Sequence, residues 1–261
     1  MKYFIVADVH GFYDEMKVAL DAAGFDPENP NHTLVSCGDA IDRGPRPNEV
    51  IKYFVNLPRK ILVRGNHEDL MADLLNSPYG PQPHDYSNGT WGTVVELASK
   101  HHKVNYGSKI SKTLASYMEW DEVRKFARAE KTYRQYESLL VDYFETEHYI
   151  FVHGWIPNHY KKDLNEGKWV NRYKYMEGWR EAGPIEWERA RWTSGIECTV
   201  QEIFEPNKTI VCGHWHAAAW HTVYEDAKPF SNHTPYVSKN VIALDTCTAL
   251  SKKVNVYVVE D

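Results

Sequence analysis

Five short blocks constrain this chain more than anything else in it: Asp8-Val9-His10, the run from Gly38 to Gly44, Gly65-Asn66-His67-Glu68, His153-Gly154, and Gly213-His214-Trp215-His216. Each places carboxylate, amide or imidazole side chains directly after a short apolar run that reads as a β-strand. Strands that end this way put their polar groups at the carboxyl edge of a sheet, where α/β folds keep their functional crevice. The pattern therefore fixes where chemistry gathers before it says what the chemistry is.

The first seventy residues read β-α-β-α-β. Tyr3 to Ala7 is a strand, Phe12 to Ala23 has helical spacing closed by Gly24, and Thr33 to Cys37 is a second strand. Asn48 to Asn56 reads as a helix begun after Pro47, and Lys60 to Val63 as a third strand. This alternation predicts an α/β fold whose sheets are flanked by helices. From about Ser77 to Glu147 the texture changes. A loop rich in Pro and Gly precedes helical stretches at Thr90 to His101, Ile110 to Tyr117 and Asp121 to Tyr136, which read as a helical cap inserted into one domain spanning residues 1–261. Leu139 to Phe144 and His148 to Val152 resemble a hairpin, and Asn158 to Arg191 reads as loops and short helices. Thr209 to Cys212, Val241 to Leu244 and Val254 to Val259 restore strands.

Composition narrows the partners. The 36 acidic against 30 basic residues give a net charge of −6, which argues against broad attraction to nucleic acid. The first apolar run meets Asp8 too soon for a signal peptide, and no stretch approaches membrane-spanning length. The four cysteines lack CxxC spacing, so a reducing, cytoplasmic setting without membrane partners is expected.

The blocks carry the donors of a metal site. Asp8 and His10 alternate around Val9, so in an extended segment both face the same way. A D-x-H triplet alone also suits a surface turn. Asp39 offers two oxygens and can bridge two cations, which an imidazole cannot. Asn66 brings an amide oxygen beside Gly65; His153 and His214 bring imidazoles from late strands; His216 repeats the first block's chelating spacing. Arg43 presents a planar fork suited to phosphate oxygens.

These residues resemble the calcineurin-like metallophosphoesterases, in particular their phosphoprotein phosphatase branch. The matching motifs are D-x-H at Asp8, G-D-x-x-D-R-G from Gly38, R-G-N-H-E from Arg64, V-H-G at Val152 and G-H at Gly213. The resemblance implies an α+β sandwich-like fold and two divalent cations, Mn²⁺ by likeness, with Fe or Zn²⁺ also compatible with so mixed a donor set. Asp8, His10 and Asp39 would hold one ion, and Asp39, Asn66, His153 and His214 the other. His216 would be an added ligand of the first. His67 would be the general acid, oriented by Asp42, and Arg191 or Arg189 would bring a second guanidinium to the phosphate. Arg64 reads as readily as a structural ion-pair partner.

The implied reaction is hydrolysis of a phosphoester by hydroxide generated between the two cations. A serine/threonine protein phosphatase of bacterial or phage type is the first expectation. A symmetrical diadenosine tetraphosphatase or other nucleotide phosphatase is the alternative, and an inactive metal-binding scaffold stands behind both. Trp155 replaces the second glycine that eukaryotic members carry after His-Gly. Leu244-Asp245-Thr246-Cys247 resembles a bacterial L-D-T-G pattern with Cys in the last place.

Overall fold

A computed structural model describes residues 1–99, 119–165 and 168–261. The opening repeat forms as its periodicity predicts: β1 (Lys2–Val6), α1 (Tyr13–Ala22), β2 (His32–Cys37), α2 (Pro47–Asn56, with Pro47 in its first turn), β3 (Lys60–Val63) and α3 (Asn66–Asn76). Among the described residues, four further helices follow before the chain returns to strands: α4 (Pro83–Asn88), α5 (Thr90–Ser99), α6 (Trp120–Ala129) and α7 (Lys131–Leu139). The expected helix from Ile110 to Tyr117 lies outside the described residues. The single helix expected over Asp121 to Tyr136 is instead two, broken where Glu130 takes an extended backbone and its carboxylate accepts the Tyr133 amide.

Two five-stranded sheets form the centre of the molecule. The first joins β1, β2, β3 and β4 (Leu140–Val141) in parallel, with β12 (Tyr257–Glu260) antiparallel on the outer side of β1. The second has the order β10 (Tyr236–Val237), β11 (Val241–Ala243), β9 (Thr209–Cys212), β6 (Tyr149–Phe151), β5 (Phe144–Glu145), with its three inner strands parallel. Ile5, Val35, Val63, Phe151, Val211, Ile242 and Leu244 meet between the sheets in one apolar layer. The outer face of the first sheet packs on α1 to α3 and α5 to α7 through Met16, Leu20, Val50, Phe54, Met71, Val94 and Ala127. The outer face of the second packs on α8 (Pro184–Trp192), α9 (Gly195–Val200) and α10 (Ala217–Glu225) through Trp155, Trp187, Cys198 and Trp220. The result is a helix–sheet–sheet–helix sandwich, and all four cysteines are buried and free.

Two further expectations fail. Leu139 to Phe144 is not one hairpin strand: Leu140–Val141 pairs with β3 in the first sheet, while Phe144–Glu145 pairs with β6 in the second. Asn158 to Arg191 is not all loops and short helices, because β7 (Asn158–Asn165) and β8 (Lys168–Tyr175) form a separate two-stranded ribbon. Its Tyr173 and Tyr175 hydroxyls donate to Glu197 and Glu205, so polar bonds dock it where the sequence shows no apolar stripe. Among the described residues no helix is long and apolar enough to cross a membrane.

A candidate metal centre between the two sheets

The five blocks converge at the carboxyl ends of β1, β2, β3, β6 and β9. Several of their residues turn the chain sharply: Asp8, His10, Asp39, Asp42, Arg43 and His214 all have φ between +49° and +71°. Non-glycine residues rarely adopt this left-handed region, and where they do the surrounding fold holds them there. Here it lets each strand end fold back and aim its donor inward. Glycines make the approach of the two sheets possible. A Cβ on Gly213 would collide with the Asp8 carboxylate, and one on Gly65 with Asp39. Gly213→Ala should therefore displace Asp8, with a cost of about 1–3 kcal/mol from overpacking and a lowered Tm. A variant with unchanged Tm and unchanged Mn²⁺ affinity would contradict this geometry.

Asp39 sits at the middle of the cluster. Its Oδ1 lies 3.4 Å from His153 Nε2, and its Oδ2 lies 3.6 Å from His10 Nε2 and 3.9 Å from His67 Nε2. Asp8 Oδ1 is 4.0 Å from His10 Nε2, Asn66 Oδ1 is 2.8 Å from His153 Nε2, and the His153 and His214 rings are 5.0 Å apart. Two sets of ligating atoms, from His10, Asp39 and His67 and from Asp39, His153 and His214, each fall within 4.8 Å of one another. The far nitrogens are already committed: His10 Nδ1 faces the Ile41 carbonyl at 2.9 Å and His153 Nδ1 the Cys37 carbonyl at 2.8 Å. Donating there fixes the tautomer and leaves each Nε2 lone pair turned toward Asp39.

The electrostatics fit a cation pair. Burial pushes the Asp8 carboxyl well above its usual range, and Asp245 and Asp39 push it further. Burial also raises Asp245. Burial holds His10 well below its ordinary value and brings His214 down to about 3, so both rings stay neutral and keep a lone pair to offer. For Asp39 burial works against ionisation, but His153 and His67, together with the His67 amide that donates to it, outweigh burial and hold the carboxyl below the usual range. Buried acids that repel one another beside neutral imidazoles are a donor set that positive charge would relieve.

His67 is placed differently from the other imidazoles. Its Nδ1 is 2.8 Å from Asp42 Oδ2, and Arg43 Nη2 is 3.0 Å from its Nε2. A guanidinium only donates, so in this arrangement Nε2 accepts and the ring proton points at Asp42. Burial opposes charging His67, yet Asp39 and Asp42 outweigh it and raise its pKa. The Arg191 guanidinium meets Asp69 of α3 and reaches Asp142 Oδ1 at 2.8 Å, tying α8 to α3. His216 lies 3.7 Å from Asp245 Oδ2 at the edge of the pocket.

Several participants carried no assignment in the sequence. Glu68 accepts the amides of Asp39 and Ala40 at 3.0 Å and of Gly65 at 2.8 Å, bracing two ligand-bearing turns at once. Its place in G-N-H-E was visible, but this bracing role was not. Asp245 closes the acidic cluster from the end of β11. Trp192 and Trp215 set their rings edge-on to His214 at 5.9 and 6.1 Å, and both remain nearly half exposed, at 48% and 42%.

Buried donors gathered beyond the strand ends of a two-sheet sandwich define an α/β protein with a candidate binuclear metal centre. Residues 1–218 match the calcineurin-like phosphoesterase family, and the chain belongs to it. It is 41% identical over 76 residues to the asymmetrical bis(5'-nucleosyl)-tetraphosphatase PrpE of Bacillus subtilis, covering 26% of this chain and 31% of that protein. It is 39% identical over 69 residues to a symmetrical bis(5'-nucleosyl)-tetraphosphatase of Hamiltonella defensa, covering 26% of this chain and 24% of that one. The matches thus span less than a third of either relative's length. The cold-active protein-tyrosine phosphatase of a psychrophilic Shewanella shares the fold, with a TM-score of 0.53 and 15% identity over 100% of this chain and 75% of that one.

Proposed function

We propose that this chain is a binuclear metal-dependent phosphoester hydrolase acting on a nucleotide polyphosphate. Two divalent cations, held by Asp8, His10, Asp39, Asn66, His153 and His214, would acidify a water and neutralise phosphoryl charge. The protein's own groups do the rest. Arg43 turns its fork from His67 Nε2 to the phosphoryl oxygens, which frees that nitrogen. The freed Nε2 takes up a proton from solvent, which the Asp39 and Asp42 carboxylates favour. As the oxygen of a water bonds to phosphorus, His67, steadied at Nδ1 by Asp42, gives that proton to the departing oxygen, which leaves with the electron pair of the broken P–O bond.

The observation that carries the choice of substrate is the pair of exposed indoles beside His214. His67 lies on the Oδ2 side of Asp39, whereas His153, and next to it His214 with Trp192 and Trp215, lie on the Oδ1 side. A substrate with one group leaving at His67 and another retained on the reacting phosphorus would engage both sides. A phosphomonoester has only the leaving group. A nucleoside on the retained side has a planar base to stack on an indole, and relatives of this chain are named bis(5'-nucleosyl)-tetraphosphatases. This reverses the order of the two substrates expected from sequence, where the phosphoprotein stood first.

Turnover of diadenosine tetraphosphate, a phosphoserine peptide and p-nitrophenyl phosphate with Mn²⁺ tests the reading. The dinucleotide should give the highest kcat/KM, and a preference for the phosphopeptide would overturn the choice. Trp192→Ala and Trp215→Ala should each raise KM for diadenosine tetraphosphate about tenfold more than KM for p-nitrophenyl phosphate, since stacking a base contributes roughly 1–3 kcal/mol.

A further inference from the structure

The helices between β3 and β4 cover the first sheet, but three of their side chains reach the site itself. Thr90 Oγ1 donates to Asp42 Oδ2 at 2.7 Å, and Thr93 Oγ1 donates to Asp42 Oδ1 at 2.7 Å. Thr93 Oγ1 also accepts the Asp42 amide at 3.2 Å. One helical turn of α5 thus holds both oxygens and the backbone of Asp42. From α7 the Tyr136 hydroxyl donates to Glu68 Oε1 at 3.0 Å. Thr90, Thr93 and Tyr136 are all buried.

We propose that Thr90 and Thr93 are positioning residues for the general acid, and that α5 is a working part of the catalytic centre as well as a cover. The inference rests on the hydrolase reading above. An ionised carboxylate only accepts, so Asp42 is fixed in rotation by the donors around it. With a hydroxyl on each oxygen, the remaining direction at Oδ2 is the one facing His67 Nδ1 at 2.8 Å. Such O–H···O⁻ bonds are roughly twice as strong as neutral ones. Replacing Thr93 by Val keeps the shape and removes the donor, so Asp42 is free to turn and the His67 ring loses its reference.

A purely structural role for the threonines predicts something different. Loosening α5 would slow every substrate alike or lower stability without touching proton transfer. Acid positioning instead shows in the leaving group: an alkoxide needs the proton, while p-nitrophenoxide departs largely without it. The test is a series of alkyl and aryl phosphate esters assayed with the full-length protein and Mn²⁺, comparing wild type, Thr93→Val, Thr90→Val, Thr93→Ser and Thr90→Ser. The Val variants should lose about tenfold in kcat on alkyl esters and less than about threefold on p-nitrophenyl phosphate. KM and Mn²⁺ affinity measured by calorimetry should stay near wild type, and each Ser variant, which keeps the hydroxyl, should restore the wild-type dependence.

Equal losses across all esters, or none, in variants that bind Mn²⁺ normally would overturn the proposal. Where a Val variant does not fold, the Ser variant decides: a hydroxyl at that position that fails to preserve the leaving-group dependence also overturns it. A wild-type protein that binds Mn²⁺ yet turns over neither diadenosine tetraphosphate nor any ester fails the hydrolase reading itself, a result that needs no variant to recognise.

Discussion

Asp39→Asn is expected to abolish tight binding of both cations and to lower turnover by more than about 10³-fold, with the fold intact. Among the described residues, Asp39 is the one shared by the two sets of ligating atoms at this site. Its Oδ1 looks toward His153 and its Oδ2 toward His10 and His67, at 3.4, 3.6 and 3.9 Å. An amide of the same shape keeps one oxygen and replaces the other with an NH₂ group. That group only donates, so whichever half it faces loses a ligand and gains a partial positive charge. The His67 amide, which donates to Oδ1 at 3.0 Å, favours leaving the surviving oxygen on that side. The His10 half should then be the weaker one. Calorimetric titration with Mn²⁺ should show the loss directly, and a variant that takes up two equivalents with near wild-type affinity would remove Asp39 from the bridging position.

How much of this was legible in the sequence follows from the range over which each contact acts. The strands ending at Val6, Cys37, Val63 and Cys212 declare themselves through apolar runs, and the donors that follow them are set by position alone. The ribbon from Asn158 to Tyr175 was hidden because Lys161, Arg172 and Lys174 occupy its exposed face, while the opposite face docks through tyrosine hydroxyls. The hairpin expected from Leu139 failed because the chain changes sheets around Asp142, and two short apolar runs on either side of one acid do not say which neighbour each will find. The resemblance named His67 and Asp42 as a pair. The sequence could not show what holds Asp42, since Thr90 and Thr93 stand 48 and 51 residues away. Nor could it show what holds Glu68, whose Tyr136 partner is 68 residues away. The partners of Arg191 were hidden in the same way, since Asp69 and Asp142 stand 122 and 49 residues away.

His67→Gln should separate the chemistry from the metals. The variant is expected to bind two Mn²⁺ equivalents as wild type does, because Asp8, His10, Asp39, Asn66, His153 and His214 are untouched. It should lose about 10²–10⁴-fold in kcat on an alkyl phosphate, the range a positioned acid contributes. The physical reason lies in what glutamine lacks. Its amide can donate to Asp42 or accept from Arg43, as the imidazole does at 2.8 and 3.0 Å, but it cannot hold a transferable proton near neutral pH. The binding geometry therefore survives while proton delivery stops, and kcat should fall with little change in KM. The loss should shrink as the leaving group becomes more acidic and be smallest for p-nitrophenyl phosphate. Near-normal turnover of an alkyl phosphate by this variant would show that the proton comes from elsewhere, and the Asp42–His67 pair would then be a brace for Arg43 rather than an acid.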